Sequence, residues 1–408
     1  MKWIALRDAY PRALVAAWLV MALTHAMAQT PAPATLRQEV QKPLLAAQEA
    51  FGSKQYELAL KLANEAMAVS QLTPYERLTV LRSRAAAANA LQHWDVTIEA
   101  LEEVLDSVSL ESKDRLSMQE ALVAAAQKKK DLARVAKWAR AYLNDGGPKP
   151  VIRSVLVQTL SLQGEHRQVI EEMHKKLVLD AQSQFKTAEQ ELRLMAVAYK
   201  HLKDDKGYVQ ALKKLLALYP SKAYWEDAVG RLANQPGFNA RLELDLYRLL
   251  EETDNLEDPD IQIEMANLAL KAGLPAEAQR VLGKGFASGV LGKGEQAAAH
   301  QKLRAEVQKK ALEDDRALPQ LEKSAKDGND WASLGSVQLS RQSWAAAHEA
   351  FAKAASLGSV RREHELRLHD AIALYKLGQK EAARQQLLKV QGDVWAVEVA
   401  ELWQLLLR

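Results

Sequence analysis

Asp330-Trp331-Ala332-Ser333-Leu334-Gly335, followed by Trp344, Ala347, Phe351 and Ala354, is the stretch on which the fold turns. Its spacing describes two short helices joined by a tight turn. Trp331 and Leu334 share one face of the first helix, and Gly335 lets a second helix come close. Ala347 stands at the closest crossing, where a larger side chain would push the helices apart. Phe351 and Ala354 then turn toward whatever follows. A hairpin of this kind cannot bury its apolar face alone, so it predicts copies of itself.

The copies are present in a more degenerate form. Taking the residue three before the second-helix Ala as an anchor, the series runs Tyr56, Trp94, Leu132, His166, Tyr208, Asn239, Pro275, Trp344 and Lys380. The interval from 275 to 344 leaves room for one more unit, giving nine steps of about 36 residues, close to the ~34 of a known helical repeat class. The closing alanine is literal at Ala59, Ala211, Ala278, Ala347 and Ala383. Thr97, Val135, Val169 and Leu242 replace it in the weaker copies. Gly164, Gly273 and Gly378 end short turns before second helices, as expected of a residue that tolerates the left-handed conformation.

On these residues, the chain from about residue 39 to its end resembles a tetratricopeptide-repeat array. The resemblance implies an all-α solenoid of roughly ten helix-turn-helix repeats with a C-terminal capping helix. It is closest over 328–361, good over 259–286 and 363–391, and looser in the first half. A helical solenoid of another repeat class is the alternative.

Composition agrees with an all-helical reading. The chain of 408 residues is 48% hydrophobic, with few β-branched runs and no alternating strand pattern. Pro74, Pro148, Pro150, Pro220 and Pro259 fall between expected helices, where a missing N–H does no harm. A solenoid also explains how one array can exceed the usual domain length, since each repeat touches only its neighbours. Candidate seams are the Gly-Gly-Pro-Lys-Pro stretch at 146–150 and the glycine-rich stretch at 283–294.

The amino terminus reads differently. Lys2, Arg7 and Arg12 form a basic region, Ala13 to Leu23 an apolar run, and Ala26-Met27-Ala28 a small-residue cleavage site. That order describes a signal peptide over 1–28, cleaved after Ala28, then a Pro/Ala-rich spacer over 29–38. A retained anchor is the alternative, against which the apolar run is short for a ~20-residue span. Cleavage removes three cations and Asp8, so the net charge falls from +3 to +1. The absence of Cys excludes disulfides, thiolate metal sites and a lipidated cysteine. The expectation is an exported protein with no stable membrane span after cleavage.

Motifs for chemistry fail one by one. His364 and His369 resemble a zinc-protease pair but stand one residue too far apart, which turns the second ~140° away. The glycines from Gly283 to Gly294 lack the spacing and the Ser or Thr of a phosphate loop, and read as an inter-repeat loop. Asp204-Asp205 and Asp314-Asp315 read as turn or helix-start residues. Lys128 to Lys130 and Lys309-Lys310 read as the ends of first helices, not as a nucleic-acid surface. The reading is therefore of no enzyme, no cofactor, no metal and no nucleic acid.

What remains is surface for protein partners. First helices of such arrays line a concave groove. The candidates counted from the repeat frame are Arg82, Asn89, Gln158, Lys200, Lys203, Asn267, Lys271 and Tyr375, with Tyr224 and Trp225 as candidate aromatic anchors. An ordinary solvated helix face is the plain alternative for each polar residue, and core packing for the aromatics. Repeats that capture a terminal carboxylate resemble one another in paired Lys and Asn. Here the equivalent slots hold Leu44, Gln48, Ala86 and Glu120, which disfavours that mode. Trp94 and Trp344 are placed at intra-repeat seams, and Trp395 and Trp403 flank the last helix.

A narrower resemblance covers residues 224–294. An aromatic pair at Tyr224 and Trp225, then Ala272, Gly273, Pro275 and Ala278 with a glycine-rich exit, resembles exported proteobacterial repeat proteins that accompany TonB–ExbB–ExbD systems. The resemblance implies a non-enzymatic periplasmic accessory to TonB-dependent uptake, with TonB-type components or outer-membrane proteins as partners. A scaffold for outer-membrane biogenesis or polysaccharide export is the alternative. A hydrolase with a repeat appendage would need a catalytic domain, and no segment is left to supply one.

Overall fold

The computed structural model describes residues 35–107 and 110–408. The signal-peptide reading over 1–28, and most of the spacer, lie outside the described residues. Twenty α-helices and one 3-10 turn occur among the described residues, with no strand. They fall into two compact units, divided between Thr187 and Ala188. The expected seams at 146–150 and 283–294 each lie inside a unit.

The first unit holds four hairpins: α1 (Gln38–Gly52) with α2 (Tyr56–Met67), α3 (Pro74–Ala90) with α4 (Trp94–Ser107), α5 (Ser112–Lys129) with α6 (Leu132–Asn144), and α7 (Pro150–Leu162) with α8 (His166–Gln182). The second begins with α9 (Glu189–His201) and α10 (Asp205–Leu218). Next comes α11 (Lys222–Ala233), followed by the 3-10 turn Ala240–Leu242 and α12 (Glu243–Glu252). Then come α13 (Pro259–Lys271) with α14 (Pro275–Ser288), and the single α15 (Ala297–Ser324). The unit ends with α16 (Gly328–Ser340) and α17 (Trp344–Leu357), α18 (Glu363–Lys376) and α19 (Lys380–Leu388), and α20 (Val394–Leu406).

The closing residue of every copy is buried, whatever its identity. Ala59, Thr97, Val135, Val169, Ala211, Leu242, Ala278, Ala347 and Ala383 are at most 3% exposed. Seven anchors open a helix where the spacing puts them. The exceptions have local causes. The Asp204 side chain accepts from Gly207 N at 2.8 Å and starts α10 at Asp205, one turn before Tyr208. Asn239 caps a 3-10 turn that leads into α12.

Gly335 performs the role its position suggests. A Cβ there would lie 2.5 Å from ring carbons of Phe351, itself 1% exposed. Gly335→Ala is expected to destabilise the second unit by about 1–2 kcal/mol in denaturant unfolding. Overpacking of a buried ring costs about 1–3 kcal/mol, and a helix-propensity gain of about 1 kcal/mol offsets part of it.

The inner turns explain why the first half reads loosely. Gly164, Gly273 and Gly378 adopt φ of +76°, +75° and +76° as expected. At the corresponding turns Lys54, Gln92, Lys130, Lys203 and Gln342 adopt φ between 57° and 65° without glycine. The conformation recurs while its usual residue does not.

Three expectations are corrected by the interval after Pro275. It holds no further hairpin but the single 28-residue α15, so nine hairpins occur among the described residues. Lys309-Lys310 and Asp314-Asp315 are therefore mid-helix, with Lys310 paired to Glu306 and both aspartates to Arg341. Gly283 and Gly285 belong to α14, and only the residues from Gly289 form the loop. Gly285 is needed for packing, since a Cβ there would meet Gln262 Oε1 at 2.1 Å and Leu291 at 2.6 Å.

In the first unit, the entry to α3 is tied to the start of α1. The Thr73 side chain accepts from Glu76 N, and Glu76 accepts from Thr73 N, a reciprocal cap. Arg37 covers the same carboxylate through its backbone N, Nε and Nη2 at 2.9–3.2 Å. Glu76 is wholly covered, although Arg37 itself stays 40% exposed, so this pair sits at the surface beneath one side chain. The Arg37 side chain first, then the backbone N–H groups of Thr73 and Arg37, lower its pKa from 4.5 to about 2. A folded value below the unfolded one means stability fully present above 4.5 and lost as pH falls toward 2. Glu76→Gln should therefore unfold more easily than the parent at neutral pH, and the gap should shrink as pH drops through that window.

Candidate functional site

The second helices α10 and α12 of the second unit are covered by its own carboxy-terminal helix. Rather than only capping the array, α20 packs on α18 and α19 and reaches back to α10, the 3-10 turn and α12. Its Ala396, Val399, Ala400, Leu402 and Trp403 are at most 2% exposed. Polar contacts fix the register. Lys213 Nζ on α10 lies 2.5 Å from both Glu398 Oε2 and Glu401 Oε2. Asn239 Nδ2 donates to Asp393 Oδ2 at 3.0 Å, and Trp403 Nε1 to the Asp245 carbonyl at 3.3 Å. Phe238 meets Trp395 edge-on, and Tyr375 meets Trp403 likewise at 6.0 Å. Burying Val399, Leu402 and Trp403 alone contributes roughly 5–9 kcal/mol, which makes α20 a structural keystone and not a loose latch.

Beside it lies a buried charge network built on α12, whose charged residues share the face that sees α14 and α18. Arg248 donates to Asp245 at 2.8 Å and to both Glu277 oxygens at 2.9 and 2.6 Å. All three are at most 6% exposed. Burial works against the Arg248 charge, but Glu277 and then Asp245 outweigh it and raise its pKa. Burial likewise pushes the Glu251 carboxyl up, while Arg280 and then Lys284 bring it down to about 2. On α18, His369 Nε2 approaches Asp245 Oδ1 at 3.1 Å, and Arg241 pairs with Glu365 at 2.8 Å.

Ser336, His369 and Asp245 thus form a serine–histidine–aspartate sequence of contacts, with Ser336 Oγ 3.5 Å from His369 Nδ1. The geometry does not suit acyl transfer. Ser336 Oγ already donates to Ala332 O at 3.1 Å, and it sits inside α16, whose N–H groups are committed to the helix. His348 and the buried Asp370 form a second pair at 2.6 Å. Burial raises the Asp370 pKa despite His348. Among the described residues no three His, Asp or Glu side chains converge as a metal site. His369 turns to Asp245, while His364 lies near Asp393.

The candidates drawn from the repeat frame do not gather into one patch. In the first unit Arg82, Asn89 and Gln158 are half-buried, and Arg82 Nη2 is held by Asp114 at 2.9 Å. In the second, Lys200, Lys203, Asn267 and Lys271 are exposed, with Lys203 in an inner turn at φ 57°. Trp225 is 5% exposed and so belongs to the core, which corrects its reading as an anchor. Tyr224 is half-buried and donates to Glu189 at 2.6 Å. Tyr375 is spent on Trp403. Of the slots compared with carboxylate capture, Leu44 is buried and Glu120 is paired with Lys149. The residues at the docked helix and the charge network beside it, Lys213, Asp245, Arg248 and Trp403, were missed by the frame. Asp245 and Arg248 stand three apart on the face that also carries Leu242 and Leu249, a sign that charge there is buried.

No family model and no curated protein matches this chain. Among solved structures it is similar to the TPR2AB domain of yeast Sti1 in complex with pHSP90. That match has 15% identity and a TM-score of 0.33, and covers 66% of this chain and 98% of that one. It is also similar to a tetratricopeptide-repeat protein from Parabacteroides merdae, at 9% identity and TM-score 0.32, covering 83% and 100%. Yeast Tom70 matches at 11% identity and TM-score 0.25, covering 89% and 95%. These superpositions are loose, and the repeat assignment rests on the hairpin frame and its buried closing residues.

Proposed function

We propose that this chain is a non-enzymatic protein-interaction scaffold, exported to the periplasm and accessory to TonB-dependent energy transduction or uptake. The observation that carries the scaffold reading is a helix-binding surface within the second unit itself. Its helices α10, α12 and α18 hold an amphipathic helix through an aromatic anchor, a buried cation and two carboxylates. A helical-repeat surface that binds a helix of its own is chemically equipped to bind helices of others. The address comes from the signal-peptide pattern at 1–28, and the TonB association from the resemblance over 224–294. The test is an affinity pull-down with the chain, from periplasm and solubilised membranes of its host, read by mass spectrometry. TonB-type components or outer-membrane receptors among the captured proteins would support the uptake role. Capture of outer-membrane assembly or polysaccharide-export machinery would replace it with the biogenesis role.

A further inference from the structure

The helix α15 stands where the repeat spacing calls for a hairpin, and its outward side carries a pattern that packing within the chain does not explain. Its inner side is accounted for. His300, Val307 and Ala311 are buried, Arg304 stacks on Phe286 at 4.5 Å, and Gln338 donates to Glu322 at 3.0 Å. On the opposite side Lys302, Lys309, Arg316 and Lys323 recur every seven residues, and all four are exposed. Alongside them run Ala298, Ala305 and Leu312, also seven apart and exposed, with Leu312 at 51%. Lys302 has Glu306 one turn away, and Glu306 is hydrogen-bonded to Lys310. Among the described residues Lys309, Arg316 and Lys323 form no ion pair. Glu313 is the remaining acidic neighbour of the row.

The period identifies what suits this face. A seven-residue repeat drifts by ~20° per heptad on a straight helix, so the row winds by ~60° over a length of ~31 Å. A flat surface would lose contact with such a row, whereas a second helix crossing in the left-handed sense follows it. A bilayer interface is further disfavoured because Leu312 is the one large apolar side chain on this side, too little to insert. Small alanines let a partner helix approach closely, and the cations then flank the seam.

We infer that the outer face of α15 is a docking surface for an acidic amphipathic helix of a partner protein, with carboxylates at heptad spacing. The inference deepens the scaffold reading and rests on it. The helix lies along Ala298, Ala305 and Leu312, and its carboxylates meet Lys302, Lys309, Arg316 and Lys323.

The test uses the full chain and a fluorescently labelled four-heptad helical peptide with an Ala/Leu seam and Glu on both flanks, followed by anisotropy. Binding should weaken steeply with salt. The variant carrying Lys302→Gln, Lys309→Gln, Arg316→Gln and Lys323→Gln should lose about tenfold or more in affinity. Because these side chains are exposed, its thermal midpoint should stay that of the parent. A control removing four exposed cations elsewhere, Lys200, Lys203, Lys271 and Lys206, should bind as the parent does. Failure of the peptide to bind at low salt would overturn the inference, as would equal binding by the quadruple variant. So would retention on anionic phosphatidylserine vesicles through the same cations without peptide binding. A host pull-down in which the quadruple variant captures every partner of the parent would sink this surface while leaving the scaffold reading standing. A pull-down that captures no partner would remove the scaffold reading itself.

Discussion

Replacing Trp403 by alanine should lower the unfolding free energy of the second unit by about 3–5 kcal/mol, the largest effect expected from a single apolar truncation in this chain. Trp403 is 2% exposed and fills the space between α20 and the helices it returns to. Its Nε1 donates to the Asp245 carbonyl at 3.3 Å, and its ring meets Tyr375 edge-on at 6.0 Å. Alanine leaves a cavity lined by the charged residues of α12 and α14 and opens the way for water into that network. Trp403→Phe keeps most of the volume and loses one hydrogen bond, so it should cost about 1–2 kcal/mol. Denaturant unfolding followed by circular dichroism checks both. A Trp403→Ala loss under about 1 kcal/mol would mean that α20 is not part of the core.

Arg248→Met should be comparably severe, at about 3–5 kcal/mol near neutral pH, for an electrostatic reason. The guanidinium is shared by Asp245 and Glu277, and its removal leaves two carboxylates buried without their common cation. His369 still faces Asp245, which moderates the loss on that side. In the parent, burial opposes the Asp245 charge, and His369 and then Arg248 outweigh it, so that its pKa is lowered. Without Arg248 that lowering weakens and the carboxylate takes up a proton more readily. The difference between parent and variant should therefore narrow as pH falls, the sign expected when a depressed carboxylate loses its partner. Changing Arg248, Asp245 and Glu277 together to Met, Leu and Met should cost less than Arg248→Met alone, since no carboxylate is then buried without its cation. A triple variant less stable than the single one would show that the network contributes more than mutual compensation.

The hairpin frame was legible because it depends on small residues and spacing. Gly335 and Ala347 are required by the close approach of two helices, and such requirements leave a visible mark. The closing positions stay legible even as Thr97, Val135 and Val169, since any compact apolar or β-branched side chain fills them. The inner turns at Gln92, Lys130 and Gln342 left none, because they adopt a left-handed conformation without the residue that usually signals it. The single helix α15 was invisible for a related reason. Counting repeats across 275–344 assumes that every interval is filled in the same way, and Pro319 inside the helix reads locally as a boundary.

The site was less legible than the fold. A repeat frame identifies which helices open and close each hairpin, but not that the chain's last helix returns to pack on α10 and α12. That return is encoded by pairs far apart in sequence, Lys213 with Glu398 and Glu401, Asn239 with Asp393, and Asp245 with Trp403. Each residue alone resembles a solvated helix position. The exposed candidates Lys200, Asn267 and Lys271 were read from the same frame, but nothing beyond exposure distinguishes them. The heptad row on α15 was present in the sequence all along. It becomes meaningful once the helix is known to be continuous from Ala297 to Ser324.

The most direct test of the docked carboxy-terminal helix is hydrogen exchange of the full chain, without any partner, resolved to peptides covering 394–406. If α20 is a keystone of the second unit, its amides exchange as slowly as those of α10 and α12, and Trp403→Ala accelerates all three together. Fast exchange over 394–406 beside slow exchange in α10 and α12 would contradict the account, and would leave that surface open to partners.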